Sequence, residues 1–274
     1  VQFPTTASAY QSVNAGTYDA FVSKLNPGGT SLLYSTFLGG QVADYAFGIA
    51  LDTASPPGVF ITGRTTNDTT APIVNFPVVA GYDMTHNLLT DAFACKLNPT
   101  LSGAASLIWS TFLGGSGHDY GTAIRVGSGG TPSIYIAGYT ADSTTDFPMA
   151  GSSYDAVHNG LDDMFLCRLN ANGNSLLYST FVGSAGTDRA FDFSEINDFL
   201  WVTGQTDNAG FPVTAGAHDT TLGGQDAAVF RFDALAAPAT ALMWSTFLGG
   251  ANAIGNSFGR AVAIDHAGNA YLGG

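Results

Sequence analysis

The stretch SLLYSTFLGG at residues 31–40 decides the fold of this chain, because it occurs four times with few changes. It returns as SLIWSTFLGG at 106–115, as SLLYSTFVGS at 175–184 and as ALMWSTFLGG at 241–250. Its aromatic, Leu, Ser and Thr residues favour an extended strand, and its final small residues let the backbone turn away. The stretch therefore predicts a strand that ends in a crossover, and its recurrence predicts four structural repeats.

Three further motifs accompany it in fixed order. They are a Phe-Pro pair (first at Phe3-Pro4), an Asp-led apolar run (DAFVSKLN at 19–26) and a hairpin pattern (FGIALD and VFITG within 47–63). Successive Asp-led runs lie 72, 72 and 63 residues apart. Such a period with four short strands is typical of a repeated four-stranded sheet, and sheets of this kind arranged around an axis make a β-propeller. We predict an all-β fold, a β-propeller of four-stranded antiparallel blades, from four repeats of about 63–75 residues.

The phase of the repeat sets the predicted blade boundaries within a single domain, 1–274. Blade 1 covers about 41–115, blade 2 about 116–184 and blade 3 about 185–250. Blade 4 combines 251–274 with 1–40, which would close a four-bladed ring through the two termini. The alternative is a segment of a larger propeller, whose ends pair with further blades of a longer chain or with a second copy.

Composition narrows the class of partner. The formal charge is −13 and the pI is near 4.3, which disfavours binding to nucleic acid or to an anionic membrane surface. No apolar run is long enough to span a bilayer, so we expect no membrane insertion. No signal peptide is visible. The two cysteines, Cys95 and Cys167, hold equivalent repeat positions, and we expect buried free thiols rather than a disulfide.

The motif order also carries a resemblance. DAFVSKLN, LLYSTFLGG, the IALD and VFITG pair and FPTT at residues 3–6 together resemble the bacterial β-propeller repeat family abbreviated SBBP. The resemblance covers essentially the whole chain. It implies a propeller fold and a secreted or cell-surface bacterial protein, often part of a larger chain. It carries over no catalytic residue.

Eight repeated residues are expected to have structural roles. The aspartates that open the Asp-led runs should bond backbone amides of their own loops, and the crossover glycines should avoid a Cβ clash. These residues are Asp19, Asp91, Asp163 and Asp226, with Gly39, Gly114, Gly183 and Gly249. No loop shows the alternating oxygen ligands that calcium prefers, so we expect no metal and no cofactor.

Loop aromatics and histidines are the candidates for contact with a ligand or partner: Tyr10, Tyr82, Tyr154, His86 and His158. Variable Phe-Pro loops such as the one from Thr65 to Thr90 would present them. The tryptophans align with aromatic residues of other repeats, which indicates packing rather than a sugar platform. In the third repeat, Glu195 lies near Asp192 and Asp198, and paired carboxylates can hydrolyse glycosides.

These patterns favour a non-enzymatic extracellular or cell-surface scaffold that mediates protein interaction, adhesion or assembly. Its partner would be a protein or a surface polymer. A glycan-binding, lectin-like module is the first alternative. A polysaccharide-active enzyme that uses Glu195 is the second.

Overall fold

A computed structural model describes residues 3–66, 76–129, 132–141, 146–250 and 255–274. The chain is all-β, with 49% strand and 3% helix. Three four-stranded antiparallel sheets follow one another between two hairpins. The central part, residues 67–75, of the loop predicted to present partner contacts lies outside the described residues.

The strands follow the order of the motifs. The N-terminal hairpin is β1 (Ala20–Leu25) and β2 (Leu32–Leu38). Sheet I is β3 (Asp44–Leu51), β4 (Val59–Thr66), β5 (Thr90–Leu97) and β6 (Leu107–Leu113). Sheet II is β7 (Asp119–Val126), β8 (Ser133–Thr140), β9 (Asp163–Asn170) and β10 (Leu176–Val182). Sheet III is β11 (Arg189–Ile196), β12 (Phe199–Thr206), β13 (Asp226–Asp233) and β14 (Leu242–Leu248), and the C-terminal hairpin is β15 (Ala261–Ile264) and β16 (Ala270–Gly273). A 3-10 turn (Gly103–Ser106) precedes β6, and a single helical turn (Pro238–Ala241) precedes β14.

The prediction of antiparallel four-stranded sheets is confirmed, and one sheet lies inside each of the ranges 41–115, 116–184 and 185–250. The combination of 251–274 with 1–40 behaves differently, because β15–β16 and β1–β2 form two separate two-stranded sheets. The expected fourth four-stranded blade is therefore not assembled in this structure. Within each sheet a loop ties the second strand to the third, whereas β16 and β1 belong to opposite ends of the chain.

The hydrophobic core lies between the sheets. The first strand of each sheet packs on the sheet before it: β7 contacts β3, β4 and β5, and β11 contacts β7, β8 and β9. One buried cluster joins the N-terminal hairpin to sheet I, a second joins sheets I and II, and a third joins sheets II and III. Both faces of the middle strands are buried, which explains why these strands are apolar at successive positions. Cys95 and Cys167 are buried and unbonded, as predicted.

The repeated Ser-Thr pair fastens the preceding loop to the outer strand. Ser110 Oγ donates to the carbonyl oxygen of Pro77 at 2.6 Å, and Thr111 Oγ1 accepts the N–H of Asp83 at 2.8 Å. The N-terminal hairpin and sheet II make both bonds, from Ser35 to Pro4 and from Ser179 to Pro148, and from the amides of Gln11 and Asp155 to Thr36 and Thr180. Sheet III keeps only the second bond, from the amide of Asp219 to Thr246, and Ser245 Oγ has no partner among the described residues. The recurrence of this string thus reflects one set of loop anchors per repeat.

The Phe-Pro segments lie in loops, and the phenylalanine rings of three of them pack onto their own sheets. Phe76, Phe147 and Phe211 are buried. Phe147, for example, packs on Phe165 and Phe181 at ring-centroid distances of 4.8 and 5.5 Å. The aromatic ring binds this loop to the outer two strands of its sheet, because covering two phenylalanine rings removes a large apolar area from water.

Candidate binding site at the first strands

A β-bulge lies at the same point of the first strand in each sheet. The pairing register skips Phe47 in β3, Thr122 in β7 and Phe191 in β11. A bulged residue is unpaired and its side chain is re-aimed, so bulges are common at binding sites. Arg260 holds the equivalent sequence position immediately before β15.

The glycine that closes each VFITG-type motif makes the bulge possible. A Cβ at Gly63, Gly138 or Gly204 would overlap the carbonyl oxygen of Tyr45, Tyr120 or Arg189 respectively. Only a residue without a side chain permits this approach of two backbones. The two strands of the hairpin motif therefore depend on each other: the first contains the bulge, and the second supplies the glycine that leaves room for it.

The bulge positions converge on one cavity of about 310 Å³. Its walls are Phe47, Thr122, Phe191 and Arg260, with Tyr139 from β8. Sheets I, II and III and the C-terminal hairpin each contribute at least one of these residues. We call this space the axial cavity. None of the described residues that line it is acidic, although the chain has 21 acidic residues.

A half-buried run of alternating aromatic rings and arginines lies beside the axial cavity. The guanidinium of Arg64 lies 4.6 Å from the ring centroid of Tyr45 and 5.1 Å from that of Tyr120. Tyr120 stacks on Tyr139 at 4.6 Å, and Arg189 lies 4.9 Å from Tyr139. Cation–π and stacking contacts thus link sheets I, II and III across their boundaries. We call these five residues the aromatic–arginine run.

Positive charge is concentrated in this region. Of the eight Lys and Arg residues, Arg64, Arg125, Arg189 and Arg260 all lie on or next to the first two strands of their repeats. Arg125 pairs with Asp192, and Arg189 with Asp162. Within the described residues Arg64 and Arg260 form no ion pair, and both lie over aromatic rings instead.

The ligand candidates from sequence lie elsewhere and pack against different parts of the core. Tyr10 packs on the cluster beneath the N-terminal hairpin, and Tyr154 packs edge-on against Phe232. Tyr82 is 40% exposed. Burial raises the pKa of all three tyrosine hydroxyls. None of these tyrosines lines the axial cavity.

The two candidate histidines hold the loops to their own sheets. His86 Nε2 lies 3.3 Å from the carbonyl oxygen of Thr65, and its ring meets Phe112 edge-on. His158 makes the equivalent contacts with Thr140 and Phe181. Their shared position is thus accounted for by packing and by a hydrogen bond to backbone.

The repeated aspartates bond to their own loops, as predicted. Asp91 accepts the amide of Asn87 at 2.9 Å, and Asp163 accepts that of Asn159 at 2.7 Å. Asp19 accepts the amides of Ala15 and Gly16, and Asp226 accepts that of Gly223. A Cβ on the crossover glycine would strike these carboxylates at Gly39, Gly114, Gly183 and Gly249. No cluster of three or more His, Cys, Asp or Glu suited to a metal occurs in the described ranges.

Two of these carboxylates lie beside a second carboxylate at the crossover glycine. Asp91 and Asp119 both face Gly114, and Asp19 and Asp44 both face Gly39. The second carboxylate oxygen of Asp44, Asp91, Asp163 and Asp188 has no hydrogen-bond partner among the described residues. Burial, the main cause, raises the pKa of these four carboxyls to about 6.

We expect the protein to be more stable at pH 5 than at pH 7.5. Each of these carboxyls titrates near pH 6 when folded and near 3.8 when unfolded, so the folded state holds more protons between those values. Stability therefore falls as pH rises from about 4 to about 6, by on the order of 1–3 kcal/mol per carboxyl. Asp52, whose pKa is lowered mainly by hydrogen bonds and by Lys96, acts in the opposite sense only at lower pH. Urea denaturation at the two pH values measures the difference.

Asp163→Asn isolates the effect, because the amide keeps the shape of the carboxyl but does not ionise. This variant should lose part of the pH dependence and be at least as stable as the unchanged protein at pH 7.5. Asp219→Asn, at a half-buried aspartate of the loop before β13, is the control and should keep the whole dependence. Greater stability at pH 7.5 than at pH 5 would contradict the assignment.

The acidic residues of the third repeat bridge neighbouring elements. Glu195 accepts the amides of Ser128 at 2.9 Å and Asp198 at 2.7 Å. Asp192 accepts from Arg125 at 2.6 Å and from the amide of Val262 at 3.0 Å. Asp198 accepts the hydroxyl of Tyr135 at 2.8 Å. These bonds tie sheet III to sheet II and to the C-terminal hairpin.

The sequence reasoning did not identify the residues of the axial cavity. A signal was present, since aligning the four hairpin motifs places Phe, Thr, Phe and Arg at one position. The hairpin pattern indicates only a strand at that position, and the bulge that turns the residue into part of a cavity wall depends on pairing between two strands. No helix within the described ranges has the length and apolar character needed to cross a bilayer.

Comparison with known proteins does not assign the chain to a family. No protein-family model matches the chain, and no curated protein matches it significantly. The resemblance to SBBP repeats stays a prediction that rests on the quoted motifs. The function must be inferred from the side chains that the strands bring together.

Proposed function

We propose that this protein is a β-propeller scaffold without enzymatic activity that docks a β-hairpin of another polypeptide. The propeller is supported by the successive four-stranded sheets, by the packing of each first strand on the preceding sheet, and by the convergence of four repeats on one cavity. The SBBP-like motifs favour a location outside the cell or at its surface. The observation that carries the docking function is an uncovered apolar groove beside β1.

This groove, of about 380 Å³, lies between the N-terminal hairpin and the start of sheet I. Its apolar walls include Val22, Ile49, Leu51 and Val59. Ile49 is 60% exposed, whereas its equivalent in sheet II, Ile124, is completely buried. An exposed apolar groove beside a strand with an unpaired edge favours the addition of a further strand.

The complete sheets indicate what fits the groove. Ile124 is buried in one cluster with Phe60, which lies on the second strand of the preceding sheet. The counterpart of Phe60 in the C-terminal hairpin is Tyr271, which is 62% exposed. A hairpin of the β15–β16 type laid beside β1 would therefore cover Ile49 with an aromatic ring.

The charged residues beside the groove also favour a docked hairpin. In sheet I, Lys96 binds Asp52 at 3.1 Å and lies over the ring of Phe60 at 4.8 Å. The equivalent residues are Lys24 in β1 and Asp265 with Tyr271 in the C-terminal hairpin. The docked hairpin would thus gain the same ion pair and cation–π contact.

Cysteine trapping tests the docking. In sheet I, Cys95 pairs with Ile61, and the equivalent pair across the docked strands is Ser23 with Leu272. Two singly substituted proteins, Ser23→Cys and Leu272→Cys, are mixed under mild oxidation and their mass is measured by light scattering. We expect a disulfide-linked heterodimer, because directly opposed residues lie within disulfide range. Cys95 and Cys167 are buried and should not react.

Ala263→Cys is the matched control partner for Ser23→Cys, since Ala263 lies on β15, away from the free edge of β16. It should give no heterodimer. A double variant that carries Ser23→Cys and Leu272→Cys in one chain shows whether the cross-link forms between two molecules or within one. A cross-link that forms only within one chain, or no cross-link at all, would overturn the proposal.

A second candidate function, glycan binding, is favoured by the aromatic–arginine run. Partly exposed aromatic side chains can contact sugar rings, and Tyr45, Tyr120 and Tyr139 of this run are half-buried. Saturation-transfer NMR with a saccharide panel tests it. Binding that is lost in Tyr139→Ala and kept in Tyr82→Ala would place the sugar on the first strands, whereas the reverse would place it in the loops predicted from sequence.

A further inference from the structure

We infer that the axial cavity binds a small carboxylate carried on a six-membered ring. The inference does not depend on the docking of a hairpin, because the axial cavity and the groove beside β1 share no lining residue. Four features of the cavity carry it: an arginine with uncommitted donors, aromatic walls, the absence of acidic residues from the described part of its lining, and a suitable size.

Arg260 supplies the anion contact. Its guanidinium lies 4.2 Å from the ring centroid of Phe191 and 5.0 Å from that of Phe258. Contact with the face of a ring uses none of the five N–H donors of a guanidinium, so these remain available. A carboxylate satisfies two of them at once in a bidentate pair. No ion pair of Arg260 occurs within the described residues to compete with it.

The charge distribution strengthens this preference. The chain carries a formal charge of −13, so anions are repelled from most of its surface. Among the described residues no acidic side chain lines the axial cavity, and Arg260 forms part of its wall. The nearby Arg64 is also without an ion pair among the described residues. A cleft lined by one sign of charge raises the local concentration of the opposite ion.

Phe47, Phe191 and Tyr139 favour a flat ring as the uncharged part of the ligand. They are the aromatic members of the cavity wall, and Phe47 is 51% exposed. An apolar residue so exposed on a first strand gains from the contact of a flat ring. A volume of about 310 Å³ is at the lower limit for small-molecule sites and suits one ring with its carboxylate.

The residue at the bulge position differs between the repeats, and this difference would orient the ligand. The bulge position holds Phe, Thr and Phe in the three sheets and Arg only at position 260. The hydroxyl of Thr122 is committed to the carbonyl oxygens of Ala137 and Ala190 at 3.1 and 2.9 Å. The carboxylate is therefore directed to Arg260 and the ring to the two phenylalanines.

Calorimetric titration with four probes tests the inference. Glucuronate and benzoate carry a carboxylate on a sugar ring and on an aromatic ring, and glucose and benzyl alcohol are their neutral counterparts. We expect at least one carboxylate to bind, to bind more weakly as salt is added, and to bind at least about tenfold more tightly than its neutral counterpart. Binding of glucuronate alone indicates a sugar acid, and binding of benzoate alone indicates an aromatic acid.

Arg260→Gln should weaken carboxylate binding by at least about tenfold, the loss expected for a charge-assisted bidentate pair. Phe47→Ala, also at an exposed position, should weaken it without changing the salt dependence. Arg231→Gln removes a guanidinium on β13 that also lies over aromatic rings but does not line the axial cavity, and it should leave carboxylate binding unchanged. Circular dichroism verifies that each variant is folded. Equal affinity for neutral probes, unchanged affinity in folded Arg260→Gln, or no binding of any probe at about 10 mM would overturn the inference.

Discussion

Replacing Gly138 by alanine is expected to lower the free energy of unfolding by about 3 kcal/mol or more. The added Cβ would overlap the carbonyl oxygen of Tyr120 and would lie 2.6 Å from the ring of Phe165, which is completely buried. Neither a strand backbone nor a packed ring can withdraw without disturbing the contact between sheets I and II. Urea unfolding followed by far-UV circular dichroism measures the loss. Because Gly138 supports the bulge at Thr122, ligand binding in the axial cavity should weaken as well.

Gly28→Ala is the matched control. Gly28 lies in an exposed turn, and the nearest atom to its added Cβ is 3.9 Å away on Thr30. This substitution should change the free energy of unfolding by no more than about 0.5 kcal/mol. If Gly138→Ala were equally mild, the close approach of β7 and β8 at the bulge would be wrong, and the shape of the axial cavity with it.

Phe147→Ala is expected to cost about 3–5 kcal/mol, the range for removing a buried aromatic ring. Phe147 belongs to a loop segment, yet it is 4% exposed and lies against Phe165 and Phe181. Its removal leaves a cavity between the loop and the outer strands, because the loop is also held by Pro148 and Ser179 and cannot collapse freely. Thermal and urea unfolding measure the effect.

Val157→Ala provides the comparison within the same repeat. Val157 lies in the segment that leads to β9 and is exposed, so its truncation should cost almost nothing. A small effect of Phe147→Ala, comparable to that of Val157→Ala, would mean that the Phe-Pro segment is a detached loop.

Much of the secondary structure was predictable because it depends on neighbouring residues. The runs DAFACKLN and SLIWSTFLGG combine strand-forming residues with flanking turn residues, and they form β5 and β6. The amide contacts of Asp91 were predictable for the same reason, since an aspartate at a strand start bonds its own loop. The burial of Cys95 followed from its place in an apolar strand.

The sequence was less informative about contacts between distant segments. Proline and length variation correctly indicated loops around Phe-Pro, but they did not show that the phenylalanine ring packs on its own sheet. The complementary motifs of the termini left two alternatives, one closed sheet or pairing with further blades. In the structure β1 and β16 have no shared loop to hold them together, and their pairing remains a property to be tested in solution.

The repeated motifs of this sequence predict strands, turns and their fourfold recurrence, because extended structure and turn conformation follow from residues close in the chain. Whether equivalent residues meet is decided by tertiary structure. Phe47, Phe191 and Arg260 are separated by complete repeats and become neighbours only because each first strand packs on the preceding sheet. The bulge that aims them into one cavity arises from the pairing of two strands around a glycine, a relation that no single motif contains.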